Sequence, residues 1–126
     1  MDADARSPEP IDLARAFARI DEHWRPRVAA EWNGQAVKLV KFRGEFVWHR
    51  HDEADELFLV WRGRMRLEFR DRVLPLEAGQ LAVVPRGVEH RTFADDEVEV
   101  LILEPADVRN TGDVVDARLT APRRGL

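Results

Sequence analysis

The chain has 126 residues, 35% of them charged, and a formal net charge of −4 at pH 7. This length fits one domain, and without a basic excess we expect no binding to nucleic acid or to an anionic membrane surface. The absence of cysteine excludes a disulfide framework, a thiolate zinc site and a cysteine nucleophile. The N-terminus lacks the pattern of a secretion signal, so we expect a cytoplasmic protein.

The first predicted elements are a flexible lead over residues 1–10 and a helix over residues 11–25. The lead is polar and contains two prolines. Apolar residues then recur at a spacing that places them on one helical face: Leu13, Phe17, Ile20 and Trp24. Pro26 follows at once and cannot continue a helix. His23 falls in the predicted last turn, where a histidine more often interacts with the helix end than with a metal.

After Asn33-Gly34, the sequence predicts a barrel of short strands over residues 35–106. Turn residues recur roughly every 8–12 residues, which is typical of a β-sandwich or barrel. The candidate strands cover residues 35–42, 45–51, 57–61, 65–69, 73–74, 81–84, 89–93 and 98–103. Pro75 is expected at a sheet edge or a strand end. Residues 107–126 are predicted to form a C-terminal tail that packs on the barrel, which completes an all-β fold with one N-terminal helix.

The candidate metal ligands begin with His49 and His51, which are separated by one residue. In a strand both would project from the same face, so two imidazoles could reach one ion. Glu56 stands at the head of the next predicted strand, whose same-face residues Phe58 and Val60 are apolar. Burying an unpaired carboxylate there is unfavourable, and coordination to a cation offsets this penalty. The alternative is a pair of polar histidines on an exposed strand face.

A fourth candidate ligand, His90, follows the predicted strand 81–84. Pro85-x-Gly87 predicts a tight reversal, since proline fixes φ and glycine supplies a positive φ. That reversal can direct His90 back towards the barrel interior. On these residues alone, His90 fits a ligand and a surface histidine equally well. The acidic residues between His51 and Glu56 are expected in a solvated turn.

Two segments together resemble the signature motifs of the cupin superfamily. The first contains Gly44, His49, His51, Glu56 and Gly63, and the second contains Gly79, Pro85, Gly87 and His90. Four residues separate Gly44 from His49, where the family usually has five, and Ala94 occupies the position of a usual asparagine. The predicted helix and residues 104–113 (EPADVRNTGD) also resemble small single-domain bacterial cupins.

The resemblance implies a jelly-roll barrel that holds one divalent transition metal through His49, His51, Glu56 and His90. Nitrogen and oxygen ligands without thiolate suit iron, which we expect first, and also manganese, nickel or zinc. Strand alternation predicts an apolar pocket lining: Val47, Phe58, Val60, Met65 and Leu67. Such a lining favours a small, partly apolar ligand over a phosphosugar, unless Arg62, Arg64 or Arg91 faces inward.

The predicted function is that of a metal-dependent enzyme, either a dioxygenase or an isomerase or lyase, acting on a small organic molecule that chelates the metal. The alternative is a cupin that binds a sugar or another metabolite without catalysis. No catalytic residue beyond the metal ligands is assigned, and no organic cofactor is expected. Trp48 and Trp61 fall on the faces opposite the ligands, where they would lie under the N-terminal helix or in the interface of a homodimer.

Overall fold

The computed structural model describes residues 8–122 and 124–126, so most of the predicted lead, residues 1–10, lies outside the described residues. The described residues form one helix, α1 (Leu13–Ala18), and seven strands: β1 (Arg27–Trp32), β2 (Gln35–Glu45), β3 (Glu56–Arg62), β4 (Arg64–Glu68), β5 (Val73–Glu77), β6 (Leu81–Val84) and β7 (Arg91–Pro105). Within this part of the chain, no helix is long and apolar enough to cross a membrane.

The strands are antiparallel and close around a common interior. Their order is β1-β2-β7-β3-β6, and β4 pairs with both β5 and β7. Strand β7 has 15 residues and replaces the two strands predicted over 89–93 and 98–103. Its first residues pair with β4 and its last residues with β3, while β2 pairs along almost its whole length. The predicted all-β jelly-roll fold is confirmed, and β7 is the strand that joins its parts.

The second predicted strand, residues 45–51, does not form. Strand β2 runs on to Glu45, and His49 makes an isolated bridge with His90 instead of joining a named strand. Gly44 has a φ of 86°, and the register between β2 and β7 shifts between Phe42 and Gly44. Pairing with β7 resumes at Gly44 and Glu45, and β2 ends there, four residues before His49.

The helix is much shorter than the predicted 11–25. Asp12 caps its N-terminus, and Arg19 ends it after Ala18. Trp24 has a φ of 64° and stacks on Phe42, with ring centroids 4.6 Å apart. This aromatic contact draws residues 20–24 away from the helix axis, so tertiary packing overrides the helical spacing. His23 consequently lies outside the helix, where its Nε2 is 2.7 Å from Glu97 Oε2.

Apolar residues pack on both faces of the sheet. Inside the barrel lies the main core: Val40, Phe42, Phe58, Val60, Met65, Leu67, Leu76, Val84, Ala94, Val98, Val100 and Ile102. Outside it, Phe17 of α1 and Ile20, which follows the helix, pack against Leu39. Pro75 lies on β5, which pairs only with β4 among the described strands, so its missing N–H can face away from the sheet.

The two tryptophans predicted opposite the ligands have different surroundings. Trp61 stacks on Phe17 of α1, with ring centroids 6.3 Å apart, and remains 40% exposed. Trp48 instead contacts two guanidinium groups, since Cζ of Arg70 lies 4.0 Å and Cζ of Arg91 lies 4.9 Å from its ring. The helix therefore covers Trp61 in part, whereas cation–π contacts account for the half-buried position of Trp48.

Candidate metal centre

The structure brings together the four side chains predicted as ligands. His49, His51, Glu56 and His90 are all buried, and one possible ligand atom from each lies within 4.8 Å of all the others. Two ligands on opposite sides of a transition metal ion are about 4.2 Å apart, since each bond is about 2.1 Å long. A small inward movement of the side chains therefore suffices for all four to reach one ion.

Backbone contacts between the two motif segments position these side chains. His49 and His90 exchange hydrogen bonds, at 3.0 Å from His49 N to His90 O and 2.8 Å in the other direction. Gly87 N donates to His51 O at 2.9 Å, which holds the second motif against the first. Glu56 is the first residue of β3, and its side chain points inward. One ligand thus comes from a regular strand and three from irregular segments that the barrel holds in place.

Hydrogen bonds fix the tautomers of two histidines. His49 Nδ1 lies 2.9 Å from Val47 O, and His90 Nδ1 lies 3.0 Å from Val88 O. A carbonyl oxygen only accepts, so each Nδ1 carries the hydrogen and each Nε2 presents its lone pair in the neutral ring. Backbone carbonyls commonly orient metal-binding imidazoles in this way. Val47, predicted to line the pocket, thus contributes its carbonyl oxygen to the orientation of a ligand.

The remaining polar contacts of the tetrad suit a cation at its centre. His90 Nε2 lies 3.3 Å from Glu56 Oε1, so the lone pair of the neutral ring faces a carboxylate oxygen. His51 Nε2 lies 3.1 Å from the same oxygen, yet it is buried and lacks a properly aligned hydrogen bond. A proton or a metal ion relieves this crowding of acceptors. Three imidazoles and one carboxylate therefore fit a divalent ion.

The protonation states of the tetrad agree with metal binding. Burial, and then the neighbouring His90, lower the pKa of His49 to about 4, so its ring is neutral near pH 7. Burial by itself would raise the pKa of Glu56, but the hydrogen bonds and charge that His51 and His90 supply when their Nε2 atoms carry a proton outweigh this effect and lower that pKa. A neutral imidazole and an ionised carboxylate are the forms that bind a metal.

A cavity of about 40 Å³ adjoins the tetrad, and His49 and Glu56 form part of its wall. The rest of the wall is mainly apolar: Trp24, Pro26, Val40, Phe42, Phe46, Phe58 and Ile102, with Thr92, Glu104 and Asn110 as further polar residues. Trp24 stacks between the Phe42 and Phe46 rings, at 4.6 Å and 4.9 Å. The irregular segment after α1 therefore supplies an aromatic wall of the cavity.

The predicted pocket lining matches this cavity at one position. Phe58 lines it, whereas Val60, Met65 and Leu67 are buried in the core and are not among its lining residues. Strand alternation identified these residues correctly as inward-facing. They lie further along the barrel interior, however, because alternation gives the face of a residue and not its distance from the tetrad.

None of the three arginines that would favour a phosphosugar lines the cavity. Arg62 and Arg64 are exposed. Arg91 Nε donates to Glu68 Oε1 at 2.7 Å, and Arg91 Nη1 lies 3.3 Å from Glu45 Oε2. The guanidinium groups of Arg62 and Arg64 therefore lie at the surface, and that of Arg91 pairs with two carboxylates outside the cavity. None of them supports a phosphate-binding site at the tetrad.

Two charged residues inside the barrel were missed by the sequence analysis. Lys38 Nζ donates to Glu104 Oε2 at 2.8 Å, both residues are buried, and Glu104 lines the cavity. Burial, aided by the charge of Glu56, raises the pKa of Glu104 well above its usual range. A signal was present in the sequence. Glu104 continues the alternation of Val98, Val100 and Ile102, which predicts that its side chain points inward.

The C-terminal tail was predicted to pack on the barrel, but its contact with the segment that carries His49 and His51 was not predicted. Asp113 N donates to Arg50 O at 3.0 Å, and Arg50 N donates to Asp113 Oδ1 at 2.9 Å. Gly112 has a φ of 57°, and a Cβ there would collide with the Arg50 carbonyl and lie 3.0 Å from His49 Cδ2. The tail therefore approaches the first motif so closely that only glycine fits at this position.

The acidic turn before Glu56 is solvated, as expected. Asp52 pairs with Arg50 at the surface, at 2.7 Å. Asp55 Oδ1 accepts a hydrogen bond from Arg86 N at 2.9 Å. Neither carboxylate joins the tetrad, but Asp55 ties the turn before Glu56 to the loop that leads to His90.

The chain is similar in sequence and in fold to known proteins. The Cupin domain family model matches residues 38–105. A cupin-2 domain containing protein from Shewanella frigidimarina NCIMB 400 is 45% identical over 75% of this chain and 93% of its own, with a TM-score of 0.75. Protein NMB1881 from Neisseria meningitidis is 31% identical over 77% of this chain and 99% of its own, with a TM-score of 0.72.

A match to an uncharacterized protein, YdbB of Bacillus subtilis (strain 168), is shorter. It is 39% identical over 64 residues, which make up 50% of this chain and 57% of that protein. The chain thus spans little more than half the length of this relative. The family model, by contrast, covers more than half of the chain and includes all four residues of the tetrad. The chain therefore belongs to the cupin domain family.

Proposed function

We propose that the protein binds one divalent transition metal through His49, His51, Glu56 and His90, and that it is an enzyme acting on a small organic molecule that chelates this metal. The observation that carries the proposal is the buried set of three imidazoles and one carboxylate beside an apolar cavity. Iron is the expected metal, followed by manganese, nickel or zinc. When bound, the ion would polarise an oxygen atom of the substrate.

The surroundings of the tetrad support binding of a small, partly apolar molecule. Trp24, Phe46 and Phe58 form aromatic walls next to the ligand side chains. Such walls exclude water, which strengthens electrostatic interactions inside the cavity. Pockets of this kind, largely apolar with a few polar groups, are typical small-molecule sites.

Two classes of reaction fit this site. A dioxygenase would need substrate and dioxygen beside the ion that His49, His51, Glu56 and His90 would hold. An isomerase or lyase needs a side chain that takes or gives a proton. Among the residues that line the cavity, Glu104 is the ionisable side chain outside the tetrad. The alternative function is a cupin that binds the same kind of molecule without converting it.

Elemental analysis tests the metal site directly. Protein made without a His-tag and without added metal is expected to contain one transition metal ion per chain. His90→Ala should lower the metal content by about tenfold or more, because a ligand is removed. The matched control is His23→Ala, since His23 is exposed and pairs with Glu97 on the outside of the barrel. Unchanged metal content in His90→Ala would refute the site.

Turnover is tested on the metal-loaded protein. Oxygen uptake and product formation are measured with chelating diketones, catechols and hydroxy acids. Turnover of any of these compounds supports the enzyme. Saturable binding across the panel without turnover supports the non-catalytic alternative.

A homodimer and a cytoplasmic location remain predictions. The outer face of β3 and β6 exposes Trp61, Leu81 and Val83, with 40%, 58% and 51% of their surface accessible. β6 also lies at an edge of the sheet. These features are compatible with a second copy on this face. Size-exclusion chromatography with light scattering tests the prediction, and the mass of a single chain would refute it.

A further inference from the structure

One oxygen atom of a cavity-lining side chain receives no hydrogen bond from the residues that the structure describes. Glu104 is 2% exposed, and its Oε2 accepts a hydrogen bond from Lys38 Nζ at 2.8 Å. Its other oxygen, Oε1, is buried and has no hydrogen-bond partner among the described residues, and the neighbouring Glu56 carboxyl acts on Glu104 as a like charge and not as a donor. The second polar residue beside it on the wall, Asn110, uses both ends of its amide, with Leu119 O and Ala121 N. Glu104 Oε1 is therefore left for a group that enters the cavity.

The group that satisfies Glu104 Oε1 can be identified from its chemistry. A hydroxyl group both donates and accepts, so it pairs with this oxygen whether or not the carboxyl carries a proton. Lys38 restrains the carboxyl from the other side, and Nζ of Lys38 is itself fixed by Val108 O at 3.2 Å. A buried acceptor that is held this firmly discriminates strongly against a molecule without the matching donor.

The charges around the cavity favour an anionic ligand. The histidines bind a metal in their neutral form. With a divalent ion bound, Glu56 leaves one positive charge at the tetrad, and Lys38 and Glu104 cancel when both are ionised. If Glu104 is protonated, the positive charge increases. In both states a monoanion is attracted.

We infer that Glu104, held by Lys38, recognises the hydroxyl group of a small 2-hydroxy carboxylate. This inference rests on the proposed metal site. The carboxylate and the adjacent hydroxyl are two oxygen donors suited to chelation, and the small cavity of about 40 Å³ favours a molecule of few atoms. Glu104 is thus the residue that determines specificity for the hydroxyl group.

The test compares glycolate with methoxyacetate, which keeps both chelating oxygen atoms but lacks the hydroxyl hydrogen. Binding of each compound to the metal-loaded protein is measured by isothermal titration calorimetry. Glycolate is expected to bind about tenfold or more tightly than methoxyacetate. In the double variant Lys38→Met, Glu104→Leu, this preference should disappear while the metal content is retained. Glu104→Gln has one amide oxygen, which Lys38 Nζ occupies, so its NH2 group faces the cavity as a donor and most of the preference should be lost.

The matched control lies on the same two strands but on their outer face. Lys41 Nζ and Glu99 Oε2 are 3.8 Å apart across β2 and β7. Lys41→Met, Glu99→Leu should therefore leave the preference for glycolate unchanged. Equal binding of glycolate and methoxyacetate to the metal-loaded parent, or a preference that survives in the Lys38, Glu104 double variant, would overturn the inference and leave the metal site standing. Absence of metal from the parent would overturn both.

Discussion

The two ends of the barrel interior differ sharply, although the same strands build both. At one end, β2, β3 and β7 contribute Lys38, Glu56 and Glu104, all of them buried. Further along the same strands, the inward positions are apolar, as at Val60 and Val100, which are fully buried. Because the strands are antiparallel, the start of β2, the start of β3 and the end of β7 meet at one end. This end contains the cavity and the tetrad, and the other end is a closed core.

The difference indicates that the interior charges serve the site more than the fold. Burial of an ion pair is often no more stabilising than apolar packing of the same volume. At the closed end, apolar side chains alone occupy the inward positions, as at Val60 and Val100. The charged residues at the open end are therefore explained by the metal and the ligand proposed above.

The largest expected effect comes from breaking the buried pair at the open end. Glu104→Leu leaves the Lys38 ammonium group buried without its carboxylate, which is expected to lower the free energy of unfolding by about 3–5 kcal/mol. Urea denaturation measures this change. The double variant Lys38→Met, Glu104→Leu should recover most of the loss. A double variant as unstable as the single variant would show that the pair is needed for stability, and would remove the contrast between the two ends.

A slightly smaller effect is expected at the closed end. Leu67 is 0% exposed and belongs to the main core. Leu67→Ala should lower the free energy of unfolding by about 2–5 kcal/mol, because the substitution removes apolar contacts and leaves a cavity. The metal content should stay the same. Val115→Ala is the control, since Val115 is 72% exposed in the C-terminal tail and its replacement is expected to change stability by about 0.5 kcal/mol or less.

The same contrast explains how much could be predicted from the sequence. Period-two alternation and the two motifs identified the barrel and the four tetrad residues. Alternation gives the face on which a residue lies but not its distance from the tetrad. For this reason Val60, Met65 and Leu67 were assigned to the pocket, although they do not line the cavity beside the tetrad. Glu104 was accessible to the same reasoning, because it is a charged residue in an otherwise apolar inward series.

Other features of the site depend on contacts between distant segments. The spacing of Trp24 from the preceding apolar residues predicted that it belongs to the helix. In the structure Trp24 lies outside the helix and stacks on Phe42 and Phe46. The approach of Gly112 to His49 joins positions that are far apart in the sequence. No local pattern encodes either contact, so neither could be derived from the chain alone.

The contact at Gly112 provides the third test. Gly112→Ala should lower the free energy of unfolding by about 1–3 kcal/mol, because the added Cβ collides with the Arg50 carbonyl and strains a residue with positive φ. Metal affinity should fall as well, since His49 lies against this segment. Gly34→Ala is the control, because Gly34 has a φ of 74° but nothing within 4 Å of its added Cβ. Metal affinity that falls equally in both variants would refute the supporting role of the tail.

The smallest expected effect concerns Asp55, whose side chain joins the turn before Glu56 to the loop before His90. The hydrogen bond from Arg86 N lowers the pKa of Asp55. A carboxyl with a lowered pKa stabilises the folded state above its unfolded pKa of about 3.9 and loses this effect as the pH falls through its folded pKa. Asp55→Ala should therefore lower the melting temperature slightly at pH 7 and make no difference below that window. Thermal unfolding of the metal-free parent and variant measures this, and a difference that persists at low pH would show that charge is not the cause. Metal release should be severalfold faster in the variant at pH 7, because the loop that carries His90 is held less firmly to the strand that carries Glu56.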